Sequence, residues 1–249
     1  MQTNALSVTA TSAMRVVNRN LDSLFRVFGA DGYRTSFYHP GDAWFYNREN
    51  VYRWLGAEHE VFAKDMKDLE YKGRWVTDDY MAGLIEEEFE TAVSEGRPLF
   101  NYTTTIQNHM SYTADKYGEG HTFAPVSTTA DISPETRAML EVYIEGVRDA
   151  DAMLGRLTAY FAEREEPVVL VFYGDHLPYM GDNQKGYAEL GSEVSIPENE
   201  REDILCSYKT PYVLWANDAA ADTLNWNEAV AALDLPEDGV LSASFLGSV

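Results

Sequence analysis

The sequence has 249 residues, 45% of them hydrophobic and 13% aromatic, enough to bury the core of one globular domain spanning residues 1–249. Its 41 acidic and 19 basic residues leave a net charge of −22, which excludes a nucleic-acid binder, because phosphate backbones need clustered Lys and Arg. A single cysteine, Cys206, excludes an internal disulfide and a cysteine-rich zinc site. No apolar run has the length of a membrane span and the N-terminus lacks the pattern of a signal peptide, so the chain reads as soluble. The apolar end Phe245-Leu246-Gly247-Ser248-Val249 reads as an excerpt from something longer.

Helical and strand patterns alternate along the chain. Apolar residues Val17, Leu21, Leu24, Phe25 and Phe28 recur at helical spacing, which predicts a helix from Met14 to Phe28 stopped by Gly29. A strand over 33–38 runs into His39. A short helix over Asn50 to Leu55 is closed by Gly56. Asp78 to Ser94 is a longer amphipathic helix with Met81, Leu84, Ile85, Phe89, Ala92 and Val93 inward and most of its glutamates outward. Gly96 ends it, and a Thr-rich strand over 99–106 follows. Ser133 as N-cap and Pro134 at the first helical position start the longest helix, which runs to about Ala162. Val168 to Tyr173 is apolar on both faces, as expected of a central parallel strand. Gly181 to Asp203 is polar and reads as a surface excursion, and Pro211 to Ala216 is a last strand. This alternation predicts a three-layer α/β fold with a mostly parallel sheet.

Three of these strands lead into a histidine: His39, His109 and His176, out of five histidines in all. Ligands bind at the carboxyl ends of strands in open α/β sheets, so parallel neighbours would gather the three on one edge. Asp175-His176, after Gly174, is a carboxylate–imidazole pair suited to a divalent metal, or else a turn cap beside an ordinary polar residue. His109 follows Thr103, Thr104 and Thr105, which read as β-branched strand residues with no local mark of a nucleophile. It is suited to contact a phosphate or hydroxyl, or else is a satisfied histidine in a loop. Arg48 offers a planar fork for phosphate oxygens, and Trp44, Phe45 and Tyr46 could wall a pocket or simply pack the loop. His59 and His121 lie away from the predicted strand ends and read as surface or structural residues. Cys206 has no neighbouring base and no catalytic role.

Taken in order, these segments resemble the extracellular domain of lipoteichoic acid synthases and related phosphoglycerol transferases of the alkaline phosphatase/sulfatase superfamily. The matching stretches are Gly32-Tyr33-Arg34-Thr35 with His39, Phe45-Tyr46-Asn47-Arg48, and Tyr52 to Gly56. They continue with Thr105-Ile106-Gln107-Asn108-His109, Tyr143-Ile144-Glu145-Gly146-Val147 with Asp151, and Leu154-Gly155. The last are Tyr173-Gly174-Asp175-His176 and Thr210-Pro211-Tyr212 with Trp215-Ala216-Asn217.

The resemblance implies an alkaline-phosphatase-like sandwich. It implies Asp175 and His176 as ligands of a divalent metal, Mn²⁺ first and Zn²⁺ or Mg²⁺ as alternatives. It implies His39, His109 and Arg48 at the substrate, with Tyr46 standing where the family has Trp. The family's substrate-contacting Asp comes two residues after the first histidine, where this chain has Gly41; Asp42 is one place later. The nucleophilic Thr and a metal-binding Glu would both precede Met1, since Thr3, Thr9 and Thr11 stand in another context. The implied activity is transfer of glycerol phosphate from an anionic phospholipid to a glycan or polymer acceptor through a Thr-linked intermediate. The implied place is the outer face of the bacterial cytoplasmic membrane, with membrane contact through upstream segments. A sulfatase or phosphodiesterase of the same superfamily is the enzymatic alternative. A catalytically incompetent fragment that only binds is the other.

Overall fold

The computed structural model describes residues 17–192, 194, 206–232 and 239–240. Its chain forms two compact units, Met1–Glu70 with Tyr80–Ile106 and Glu228–Val249, and Tyr71–Asp79 with Gln107–Asn227. Thr3, Thr9, Thr11, part of the excursion over 181–203 and the apolar end at Val249 lie outside the described residues.

The first unit is built on three parallel strands, β1 (Arg34–His39), β2 (His59–Phe62) and β5 (Leu99–Thr103), in the order β2-β1-β5. Five of the six β1 residues are buried, as befits a central strand covered on both faces. Strand side chains alternate between faces. One face carries Phe37, packed with Phe25 of helix α1 (Leu24–Ala30), with Val51 and Leu55 of α2 (Arg48–Leu55), and with Phe62. The Phe37 ring stacks on Tyr52 at 9°. On the other face Arg34 reaches Glu88 of helix α3 (Asp78–Ser94) at 2.9 Å and Glu95 at 3.0 Å. The expected α/β layering therefore holds, with the sheet between α1 and α2 on one side and α3 on the other.

The second unit holds the hairpin β3 (Tyr71–Lys72) and β4 (Trp75–Val76), and helix α4 (Pro134–Ala162). It also holds the strands β6 (Val169–Tyr173) and β7 (Tyr212–Ala216), and the short helices α5 (Lys185–Glu189) and α6 (Asp218–Leu224). A last short helix, α7 (Trp226–Ala232), begins here and belongs to the first unit from Glu228 on. The start of α4 follows its sequence signals: the Ser133 hydroxyl accepts from the Thr136 amide, with proline in the first turn. Asn217 is 2% exposed and ties the β6–β7 end together. Its amide oxygen accepts from Val168 and Ala220, and its nitrogen donates to the carbonyls of Phe161 and Glu166.

Three expectations change. The helix read from Met14 begins, in the described part, only at Leu24. Ser23 caps it there and also donates to the Leu55 carbonyl, while Val17 and Leu21 reach the core from non-helical chain. Glu88 is buried rather than outward, drawn in by Arg34. Of the three histidine-bearing strands only β1 and β5 are parallel neighbours; β6 pairs antiparallel with β7 in a separate two-stranded sheet. A strand is covered on both faces only where flanking strands and layers surround it. With one partner strand among the described residues, β6 and β7 leave Val169, Val171 and Val213 about two-fifths exposed.

Phe37→Ala should cost about 3–5 kcal/mol in urea unfolding, whereas Val171→Ala should cost under about 1 kcal/mol. Burial, reinforced by Glu49 against the pull of Arg53 and Lys64, lifts the Glu60 carboxyl to about 7. Between the ordinary carboxylate range and about pH 7 the folded chain thus holds a proton that the unfolded chain has lost. Stability contributed by this group falls as pH rises through that window, and Glu60→Gln should flatten the slope in a series of unfolding midpoints.

Candidate active site

Beyond β5 the chain runs without regular structure, so its polar groups need other partners. Gln107 is 2% exposed. Its amide oxygen accepts the Asp78 amide at 2.6 Å and its nitrogen donates to the Asp149 carboxylate on α4. Asp149 and Glu145 both bind Lys72, at 2.6 and 2.7 Å, and Glu145 also takes His121 at 2.8 Å. The lysine and the histidine hold the Glu145 carboxyl below its ordinary range despite burial, which pushes the other way. His121 is thus structural, as its position suggested; His59 in β2 lies 3.6 Å from Glu58. The next residue, Asn108, packs on Gly146 of α4, where any side chain would overlap its carboxamide.

His109 follows, exposed, with its ring 6.2 Å from that of His176 and nearly perpendicular to it. Each imidazole holds the carbonyl of the next residue through Nδ1, His109 to Met110 at 3.0 Å and His176 to Leu177 at 2.8 Å. A carbonyl only accepts, so Nδ1 carries the proton of the neutral ring and Nε2 presents its lone pair. His176 Nε2 stands 3.7 Å from Asp175 Oδ1, too far for a hydrogen bond. Two electron-rich atoms facing each other across that gap suit a cation. Ligands about 2.1 Å from a tetrahedral centre would stand about 3.4 Å apart. Asp175 and His176 therefore fit as two ligands of a divalent metal; among the described residues no group of three such side chains forms.

The structure brings together Asp175, His176 and His109. The other expected residues belong to the first unit. His39 is 2% exposed, its Nδ1 2.9 Å from the Thr104 carbonyl. A Cβ at position 41 would come within 2.7 Å of its Nε2, so Gly41 leaves the room that the ring fills. Asp42 is exposed, its carbonyl accepting the Phe45 amide at 3.3 Å. Tyr46 and Asn47 take left-handed backbone (φ 56° and 54°), an uncommon pair of non-glycine residues, and lead into α2. Trp44, Phe45 and Tyr46 are all exposed. The Arg48 guanidinium lies 5.5 and 5.2 Å from the Phe45 and Tyr46 rings and donates to the Phe45 carbonyl at 3.2 Å. Partial burial lowers its basicity, and no described carboxylate pairs with it at contact distance.

Sequence reasoning missed Lys116, Trp75 and Gln107, which surround the His109 segment. Only Gln107 left a trace, as part of a matched stretch; Lys116 and Trp75 come from a loop and a two-residue strand with no periodicity to read.

The sulfatase family model matches residues 1–236. The chain belongs to the sulfatase family. Among curated proteins this sulfatase-family chain is 25% identical over 201 residues to a putative cyclic beta-1,2-glucan modification protein of Rhizobium meliloti (strain 1021), covering 81% of the chain and 30% of that protein. Its fold is that of the lipoteichoic acid synthase LtaP of Listeria monocytogenes (TM-score 0.60, 21% identity, 84% of this chain and 49% of that one). It is also that of the Streptococcus pyogenes phosphoglycerol transferase GacH, solved with sn-glycerol-1-phosphate (TM-score 0.56, 23% identity, 76% and 44%). The alkaline-phosphatase-like α/β fold expected of the sequence is therefore the one adopted. The chain spans less than half the length of these relatives. Among the described residues no helix is long and apolar enough to cross a membrane.

Gly146→Ala should push Asn108 off α4 and shift the neighbouring His109 resonance in a ¹³C-histidine spectrum, with a stability loss of about 2 kcal/mol in thermal unfolding.

Proposed function

We propose that the whole protein is a metal-dependent phosphoglycerol transferase of the cell envelope, acting outside the cytoplasmic membrane. In this reading glycerol phosphate moves from an anionic phospholipid, such as phosphatidylglycerol, to a hydroxyl of a glycan or polymer. The observation that carries it is the grouping of Asp175, His176 and His109, with both Nε2 lone pairs freed by backbone hydrogen bonds at Nδ1.

Asp175 and His176 would hold a divalent ion, Mn²⁺ first and Zn²⁺ or Mg²⁺ as alternatives. When bound, the ion supplies Lewis acidity toward phosphoryl oxygens. His109 would hydrogen-bond a phosphoryl oxygen or the glycerol hydroxyl through Nε2. Arg48 would orient the head group by its fork of donors; a cation resting on aromatic rings rather than on a carboxylate keeps its charge for an anion. Tyr46 would line the same head-group site and Asp42 would face the glycerol. His39, buried and held on the Thr104 carbonyl, would also serve substrate binding. The nucleophilic Thr belongs, in this reading, to sequence before Met1. Its oxygen bonds to phosphorus as the bond to diacylglycerol breaks and diacylglycerol takes the proton. The acceptor hydroxyl then displaces the Thr oxygen, which recovers a proton. The glucan named for the Rhizobium relative and the glycerol phosphate named for the GacH complex support this choice of acceptor and donor.

The 249-residue chain alone should bind Mn²⁺ weakly and show no turnover, because its described residues offer two ligands. In the full-length protein Asp175→Ala should remove bound metal, measured by elemental analysis, and cut transfer by at least about 100-fold. Unchanged metal content and rate in that variant would overturn the assignment.

A further inference from the structure

Lys116 is a buried cation with no described carboxylate at ion-pair distance. It is 4% exposed. Its ammonium donates to the His109 carbonyl. It lies 4.2 Å from the centre of the Trp75 ring, 5.4 Å from that of Tyr117 and 5.7 Å from that of Tyr112. These contacts are built by the hairpin. Gly73, with φ 63°, turns the chain where a Cβ would overlap the backbone of Lys116 and Tyr117. That close approach sets Trp75 on the ammonium. The Trp75 ring also stands 6.1 Å from the His109 ring and carries Arg74 at 5.2 Å.

The His109 residue is therefore held at both ends. Its carbonyl is taken by Lys116 and its Nδ1 by the next carbonyl. Rotation of the segment would break the lysine contact and strand a charge among three aromatic rings, which is costly. We infer that Lys116 is a positioning residue for His109: its ammonium fixes the His109 backbone and so sets where the imidazole stands beside His176. The inference rests on the reading of His109 as a phosphoryl-site residue.

The contact also answers to pH. Burial, with Arg74 close by and only Asp78 opposing, lowers the Lys116 ammonium to about 8. The other titratable neighbours, Tyr112 and Tyr117, are pushed upward by burial and stay neutral across that range. As pH rises through about 8 the ammonium becomes an amine, a weaker donor with no cation–π attraction. The grip on His109 then loosens.

The test uses full-length protein labelled with ¹³C at histidine Cε1 and titrated from about pH 6 to about pH 10, with His109→Gln assigning the resonance. The wild-type His109 signal should show a step near pH 8, where Lys116 loses its proton. Lys116→Arg, which keeps the charge but does not titrate, should abolish the step, and Lys116→Met should displace the signal at every pH. Binding of sn-glycerol-1-phosphate at neutral pH should weaken about tenfold in Lys116→Met and change less than about threefold in Lys116→Arg. A wild-type signal with no step, or a step that survives in Lys116→Arg, overturns the inference; these two readouts do not use Lys116→Met, so they decide it even where that variant fails to fold. Loss of sn-glycerol-1-phosphate binding in the wild type overturns the proposed function instead, while the step still decides the role of Lys116.

Discussion

A buried amide, Gln107, is the constraint on which the candidate site depends. It bonds the first turn of α3 with its oxygen and the Asp149 carboxylate of α4 with its nitrogen. Two residues later comes His109. Between them Asn108 is pressed on Gly146, and beyond them Lys116 closes on the His109 carbonyl. A segment with no helix or strand of its own is thus fixed by side chains from three directions. Irregular backbone can be placed this firmly only if its polar groups are satisfied, because each unpaired one would cost as much as a lost hydrogen bond. An exposed imidazole then inherits the rigidity of buried neighbours.

Charge in this acidic chain is distributed with the same economy. Arg34 and Lys72 each meet two carboxylates, and Arg97 meets Glu58 at 2.8 Å, holding that carboxyl down at about 2. The Arg34 and Lys72 pairs staple strand to helix. Arg48 and Lys116 are treated differently: each rests on aromatic rings and a backbone carbonyl. Aromatic faces attract a cation without cancelling its charge. In the proposed reading, a chain with net charge −22 would need cations of this kind for an anionic substrate, since its long-range field repels such ligands.

Much of the architecture was legible because the signals were local. The 29-residue α4 begins at Ser133-Pro134, and α3 spans Asp78–Ser94, both as their caps, stops and apolar spacing indicate. The ordered motifs also led to the sulfatase family, and they include His109 and His176, whose rings lie 6.2 Å apart. The failures were cooperative. Glu88 falls on the inward stripe of its helix, four residues after Leu84 and four before Ala92, but its charge reads as outward; Arg34, 54 residues away, supplies the partner that lets it stay buried. The Val-rich β6 looks central by composition, but composition does not name a strand's neighbours, and its partner is antiparallel. Lys116 resembles any loop lysine until Gly73 lets the hairpin bring Trp75 onto it.

What the sequence determined by itself was the longer helices, the strands that lead into the motifs, the α/β class and the residue types suited to a metal and a phosphate, because period, caps and motif order act over a few residues. What only the tertiary structure decided was which of those residues meet. His109 and His176 are 6.2 Å apart across 67 positions of chain, and the protons on their Nδ1 atoms are assigned by carbonyls that no pattern marks. Contacts of that range are fixed by packing, where a glycine's missing side chain or a buried amide's two bonds outweighs local preference.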